Sequence, residues 1–176
     1  MLFFLHSVDV FILELVNLSY HNFILDNLSL LISNLGIIYF WIIISILLYL
    51  FGNKKGKIVA KRMIIILVVI TLFTQLIKYF IMRPRPYTEL SNLILLDLGM
   101  DYSFPSGHTS TSTAMAYLLS KEYNKWCFML IPLVVAFSRL YIGVHYPSDV
   151  LGGFLLGFFI AYLLEYFFNL KIYEID

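Results

Sequence analysis

From Asn27 to Phe51 the chain carries no charged side chain. A helix needs about 20 mostly apolar residues to cross about 30 Å of hydrocarbon, so this run alone directs the chain into a bilayer. Four further windows meet or approach the same requirement: Met63 to Met82, interrupted by Lys78, then Gly107 to Ser120, Trp126 to Val144 and Val150 to Phe168. The expected fold is all-α, a polytopic membrane bundle of about five to six spans. Composition agrees, because 61% hydrophobic residues, 13% charged residues and a mean hydropathy of +0.87 lie outside the soluble globular range.

The opening segment is the ambiguous one. Leu2 to Asn22 is apolar but carries Asp9 and Glu14, and Asn34 with Gly36 interrupts the stretch that follows, so residues 1–34 read as interfacial or re-entrant helices. Met1 to Tyr20 has neither a basic n-region nor a small-residue cleavage site and reads as mature protein. No linker, low-complexity tract or repeat divides residues 1–176, which read as a single domain. A net charge of +1 excludes a nucleic-acid footprint, and the lone Cys127 excludes a disulfide framework. No obligate protein partner is evident. Gly153 and Gly157 form a small-xxx-small pair that predicts close helix packing.

Cations set the topology, since short cytoplasmic loops accumulate Lys and Arg. Lys54, Lys55, Lys57, Lys61 and Arg62 crowd one presumed loop, Lys121 and Lys125 another, and Lys171 the tail. With all three regions cytoplasmic, Lys78, Arg83, Arg85 and Arg139 fall at the outer ends of spans. His108, His145 and Asp149 fall on the same face. Cations placed where the positive-inside rule disfavours them imply an anionic partner, and phosphate fits best. Arginines make forked contacts to phosphate oxygens, Lys78 adds a point charge, and a helix starting at Ser106 and Gly107 offers free N–H groups. His145 can attack or accept a proton, and His108 can donate one. Asp149, four residues after His145, can reach back to its imidazole if a helix begins near Tyr146.

Lys78 with Arg85-Pro86, then Pro105-Ser106-Gly107-His108, then Ser138-Arg139 with His145 and Asp149, resemble in order and spacing the three motifs of the type 2 phosphatidic acid phosphatase superfamily, which joins lipid phosphatases to vanadium haloperoxidases. The match covers residues 78–149 and no motif position departs. The resemblance implies the helical core of that superfamily, with His145 as nucleophile forming a phosphohistidine, Asp149 orienting it and His108 as general acid. It implies that Lys78, Arg85, Ser106, the Gly107 amide and Arg139 bind the phosphate, without metal or other cofactor. The substrate it implies is a lipid phosphate presented by the bilayer at the extracytoplasmic face of the cell membrane, polyprenyl diphosphate before phosphatidylglycerophosphate or phosphatidic acid. A non-catalytic lipid-binding or transport protein of the same fold is the alternative class. The short all-membrane chain argues against a haloperoxidase.

Other polar residues take plainer readings. A two-histidine, one-carboxylate metal site is disfavoured by the cations around it. Arg83, outside the motif, is expected to anchor at the headgroups. Glu89, Asp97 and Asp101 are expected to be solvated loop charges or to shape headgroup preference, and His6 and His21 to be interfacial. The hydroxyls from Thr109 to Thr113 are expected to bond within and between helices.

Overall fold

The computed structural model describes residues 2–173. They form helices α1 (Leu2–Asn17), α2 (Phe23–Ser33), α3 (Ile38–Phe51), α4 (Lys54–Ile81), the single turn α5 (Pro86–Glu89), α6 (Gly107–Tyr123), α7 (Leu130–Tyr141) and α8 (Pro147–Tyr173). Short 3₁₀ turns at Asn34–Gly36 and Trp126–Met129 precede α3 and α7, and no strand occurs among the described residues. The boundaries follow from local chemistry. Asn22 and Asn53 cap α2 and α4 by accepting from the Leu25 and Gly56 N–H groups. Helix α4 stops at Met82 in the left-handed conformation, and Pro84 two residues on cannot continue it. Gly143, at φ +87°, makes the turn that returns α7 into α8.

The interruption expected at Asn34 and Gly36 is present: α2 and α3 bend by 60° at the Asn34–Gly36 turn. The break brings Gly36 onto α6, where a Cβ would lie 2.6 Å from the His108 Cβ, so only glycine permits this approach. The cations from Lys54 to Arg62 are not in a loop but on the first turns of α4. There Arg62 is ion-paired with Glu122 of α6 and lies 3.4 Å from Glu165 of α8, tying three helices together at that end.

Helix α6 runs through the centre and is buried from Thr109 to Ser120. A helix so rich in hydroxyls can be buried because they bond back to its own carbonyls: Ser112 to His108 at 2.8 Å and Thr113 to Thr109 at 2.7 Å. Ser110 meets Thr74 of α4 at 3.0 Å. Met63, Ile66 and Ile70 of α4, Met115 and Leu118 of α6, and Ile160 and Ala161 of α8 form the main apolar cluster. Val68, Phe80, Leu155 and Phe159 point outward, an apolar exterior that suits lipid rather than water. By length and composition, α4 with its continuation to Glu89 and α8 over Pro147–Phe168 can each cross a membrane, and the bent α2–α3 pair makes a third candidate.

The predicted glycine contact is present. A Cβ on Gly153 would lie 2.6 Å from the Ser106 carbonyl oxygen, and one on Gly157 would lie 2.3 Å from that of Ser110. Gly157→Ala is therefore expected to cost about 1–3 kcal/mol of stability by overpacking. Leu155→Ala, at a side chain 59% exposed on the same helix, should stay within about 0.5 kcal/mol of wild type. Thermal unfolding of both variants in one detergent checks the difference.

Candidate active site

Because α4 and α7 end where α6 and α8 begin, the chemical residues collect at one end of the bundle. His145 lies in the α7–α8 turn and Asp149 in the first turn of α8, and both are buried. Asp149 Oδ2 sits 3.5 Å from His145 Nδ1 and accepts from the Tyr146 N–H at 2.8 Å and from the Ser103 hydroxyl. This arrangement favours the Nδ1–H tautomer and leaves Nε2 as the nucleophilic nitrogen. Burial first, then the positive charges of Arg139, Arg85 and Lys78, push the His145 pKa well below its ordinary value. The imidazole is thus neutral at pH 7, with its lone pair available.

Three cations surround this pair. Lys78 comes from the last turn of α4, Arg85 from the loop before α5, and Arg139 from the last turn of α7; all are buried. Arg85 Nη1 donates to the Val144 carbonyl at 2.9 Å, which fixes it beside His145. Arg139 Nη1 donates to Ser33 Oγ at 2.6 Å, whereas its Nε is buried without a hydrogen-bond partner. An added oxygen acceptor would satisfy that N–H.

Ser106 and Gly107 open α6 in contact with α8: the Ser106 N–H donates to the Asp149 carbonyl at 3.0 Å. The first-turn amides of a helix lack intrahelical acceptors, so this end can receive an anion. His108, Gly107, Lys78, Asp101 and Thr74 line a cavity of about 220 Å³ that runs toward Gly36 and Ile38. A larger cavity of about 610 Å³ opens over Lys78, Arg85, Tyr87 and Asp101. The structure thus gathers all eight residues named from the sequence at one end. No group of three or more His, Cys, Asp or Glu side chains suited to a metal ion occurs among the described residues.

The acidic loop residues are exposed, as expected of loop charges, and are also paired. Asp101 is ion-paired with both Lys78, at 3.2 Å, and Arg85, and Asp97 lies 3.5 Å from Arg139. Burial raises the Asp101 pKa, but Lys78 and Arg85 outweigh that and hold the carboxyl below its ordinary range. One loop therefore places carboxylates against all three cations. Glu89 is likewise engaged, accepting from the Tyr146 hydroxyl at 2.7 Å. His21 is partly buried, 2.8 Å from Asp26 and stacked on Tyr141, because its ring fills the α1–α2 corner. Arg83 is not a headgroup anchor: it pairs with Asp149 Oδ1 and Asp9 Oδ2, each at 2.7 Å. Ser103, Asp97, Asp101, Asp9 and Arg83 escape a sequence reading because each gains its partner from a distant segment.

Comparison with known proteins agrees with this geometry. The family model described as PAP2 superfamily matches residues 59–173. An undecaprenyl-diphosphatase of Sulfolobus acidocaldarius is 33% identical over 87% of this chain and 76% of its own. The undecaprenyl-diphosphatase BcrC of Bacillus subtilis is 30% identical over 87% of this chain and 80% of its own. The crystal structure of a transmembrane PAP2 type phosphatidylglycerolphosphate phosphatase from Bacillus subtilis superimposes with a TM-score of 0.75 at 26% identity, covering 94% of this chain and 86% of that one.

If the loop carboxylates compete for the cations, Asp101→Asn should bind inorganic phosphate or orthovanadate more tightly, by about 3- to 10-fold. Titration of the detergent-solubilised protein with either anion checks this. Unchanged or weaker binding would show that Asp101 does not compete.

Proposed function

The chain belongs to the PAP2 superfamily, and from that premise we propose that it is a multi-pass lipid phosphatase of the cell membrane with its active site on the extracytoplasmic face. Residues 1–176 form its single domain, with about five to six crossings and the N-terminal residues 1–34 interfacial or re-entrant. The observation that carries this reading is a buried, carboxylate-oriented histidine among three buried cations.

In the proposed reaction His145 Nε2 attacks the terminal phosphorus in line, forming the N–P bond as the bond to the leaving oxygen breaks. Asp149 stabilises the positive charge that develops on the imidazole. His108 protonates the leaving oxygen, which in a diphosphate belongs to the lipid monophosphate. Water then attacks the phosphohistidine with His108 as base, releasing phosphate and restoring His145. Lys78, Arg85, Arg139, Ser106 and the Gly107 amide hold the phosphoryl oxygens. Uncatalysed phosphate-ester hydrolysis is slow enough that enzymes accelerate it by up to about 10²¹, and charge stabilisation on those oxygens is the main lever. Three side-chain cations supply it here without a metal.

The substrate favoured is a polyprenyl diphosphate, on the strength of the two undecaprenyl-diphosphatase relatives. A glycerolipid phosphate is the second reading, supported by the structural similarity to the phosphatidylglycerolphosphate phosphatase.

Phosphate release from undecaprenyl diphosphate, phosphatidylglycerophosphate and phosphatidic acid tests both. Wild type should prefer the isoprenoid, and His145→Ala should lose turnover by at least about 10³-fold while remaining folded. Near-native activity in that variant would remove His145 from its role, and silence of wild type on the whole panel would remove the phosphatase reading. Millimolar EDTA should leave the rate unchanged and vanadate should inhibit competitively. A rate lost in EDTA and rescued by a divalent ion would overturn metal independence.

A further inference from the structure

We propose that Arg83 is a positioning residue: it anchors the Asp149 carboxylate so that Asp149 can hold the His145 imidazole in its reactive tautomer and orientation, with Asp9 of α1 fixing Arg83 in turn. The inference deepens the reading of His145 as nucleophile and rests on it.

The two oxygens of Asp149 divide their work. Oδ2 faces His145 and accepts from Tyr146 and Ser103, whereas Oδ1 accepts from Arg83 Nη1 at 2.7 Å. A carboxylate held through one oxygen alone can still swing about its side-chain torsions. Gripping the other oxygen with a charged donor removes that freedom. Asp149 is 0% exposed, and a buried carboxylate needs a charged or multiply hydrogen-bonded partner. His145 is neutral and cannot provide the charge. Lys78 and Arg85 are engaged with Asp101, and Arg139 with Asp97. Arg83 is the cation in direct contact with Asp149.

Arg83 is itself immobilised. Nη2 donates to Asp9 Oδ2 at 2.7 Å, Nη1 also donates to Ser148 Oγ at 2.6 Å, and the guanidinium lies 4.1 Å from the centre of the Tyr146 ring. Asp9 Oδ1 accepts the Ser148 N–H at 2.8 Å, so the α1 carboxylate also caps the start of α8. The N-terminal helix thereby reaches the nucleophile through Asp9, Arg83 and Asp149. A purely structural Arg83 would tie α1 to α8 without affecting the chemical step; one that touched substrate through the outer cavity it lines would act on KM.

Steady-state kinetics on undecaprenyl diphosphate separates these roles. Arg83→Gln should lower kcat by about 10- to 100-fold, the range for a misplaced catalytic group, with KM within about 3-fold of wild type. Arg83→Lys, which keeps the charge, should recover most of that loss. On an Asp149→Asn background, Arg83→Gln should cost no more than about 3-fold further, because the two residues act as one unit. An unchanged kcat, a change confined to KM, or a full multiplicative loss in the double variant would overturn the proposal.

If Arg83→Gln does not fold, Asp9→Asn carries the same test: kcat should fall by several-fold with KM within about 3-fold of wild type, and an unchanged kcat would overturn the proposal. A readout independent of turnover is the imidazole ¹⁵N spectrum, with the His145 signals assigned by their loss in His145→Ala. Wild type should show the Nδ1–H tautomer and Arg83→Gln a tautomer mixture. Identical spectra would overturn the role of Arg83 even if the lipid panel were silent, whereas a silent panel alone would overturn only the phosphatase reading.

Discussion

Mutual repulsion of Lys78, Arg85 and Arg139 is the constraint around which this end of the molecule is built. The three residues are at most 6% exposed, so water does little to screen them, and like charges removed from solvent repel strongly. The structure answers with the loop between α5 and α6. Asp101 and Asp97 supply two carboxylates, and the loop that bears them is pinned elsewhere by neutral contacts. Asn17 of α1 donates to the Ile94 carbonyl and accepts its N–H, both at 2.8 Å, and Tyr87 donates to the Gly99 carbonyl at 2.6 Å. Gly99 packs so closely on Arg85 that a Cβ would lie 2.0 Å from its guanidinium carbon. Three cations against two carboxylates leave one positive charge unmatched, and a multiply charged phosphoryl group can outcompete single carboxylates for the same donors.

The negative charge of Asp149 has to be kept apart from that cluster, or the carboxylate beside His145 would itself become a ligand of those cations. Its separate pairing with Arg83 and Asp9 achieves this. The site therefore contains two ion-pair systems, one joining Lys78, Arg85 and Arg139 to the loop carboxylates and one joining Asp149 to Arg83 and Asp9. They meet at His145, and close packing of α6 on α8 fixes their distance. Gly153 and Gly157 let the α6 backbone approach α8, and the Ser106 N–H then reaches the Asp149 carbonyl. A looser contact would separate the first amides of α6 from His145 and Asp149, the two halves of the proposed reaction.

How much of this was legible in the sequence follows from how local each interaction is. The i,i+4 pairing of His145 with Asp149, the helix start at Gly107 and the Gly153/Gly157 packing are written within a few residues, and each was readable. So was the gathering of eight motif residues at one end, because alternation of helix direction suffices to place them. Arg83 was not readable: a lone arginine next to a proline looks like an interfacial anchor until Asp9 and Asp149, 74 and 66 residues away, are brought to it. Asp97 and Asp101 are exposed loop charges as expected, but their pairing with the cations was not readable for the same reason. Polar residues in a loop default to solvent unless the fold delivers a partner. The bend at Asn34–Gly36 was signalled by its residue types, but its cause, the contact of Gly36 with His108, exists only in three dimensions.

That bend bears on how a lipid can meet the site. In the proposed reaction the motif side chains address only a phosphoryl group, whatever is esterified to it. Discrimination must come from the walls, and the cavity of about 220 Å³ beside His108 is walled by Ile37, Ile38, Thr71 and Gln75 as well as by Lys78. Its polar end carries Lys78, Asp101 and His108, and its apolar end is the α2–α3 break against α4. An amphiphile with its phosphate at the cations would keep its first carbons among those side chains. The geometry of the break, with Gly36 packed against His108, thus couples the position of that histidine to the shape of the cavity wall.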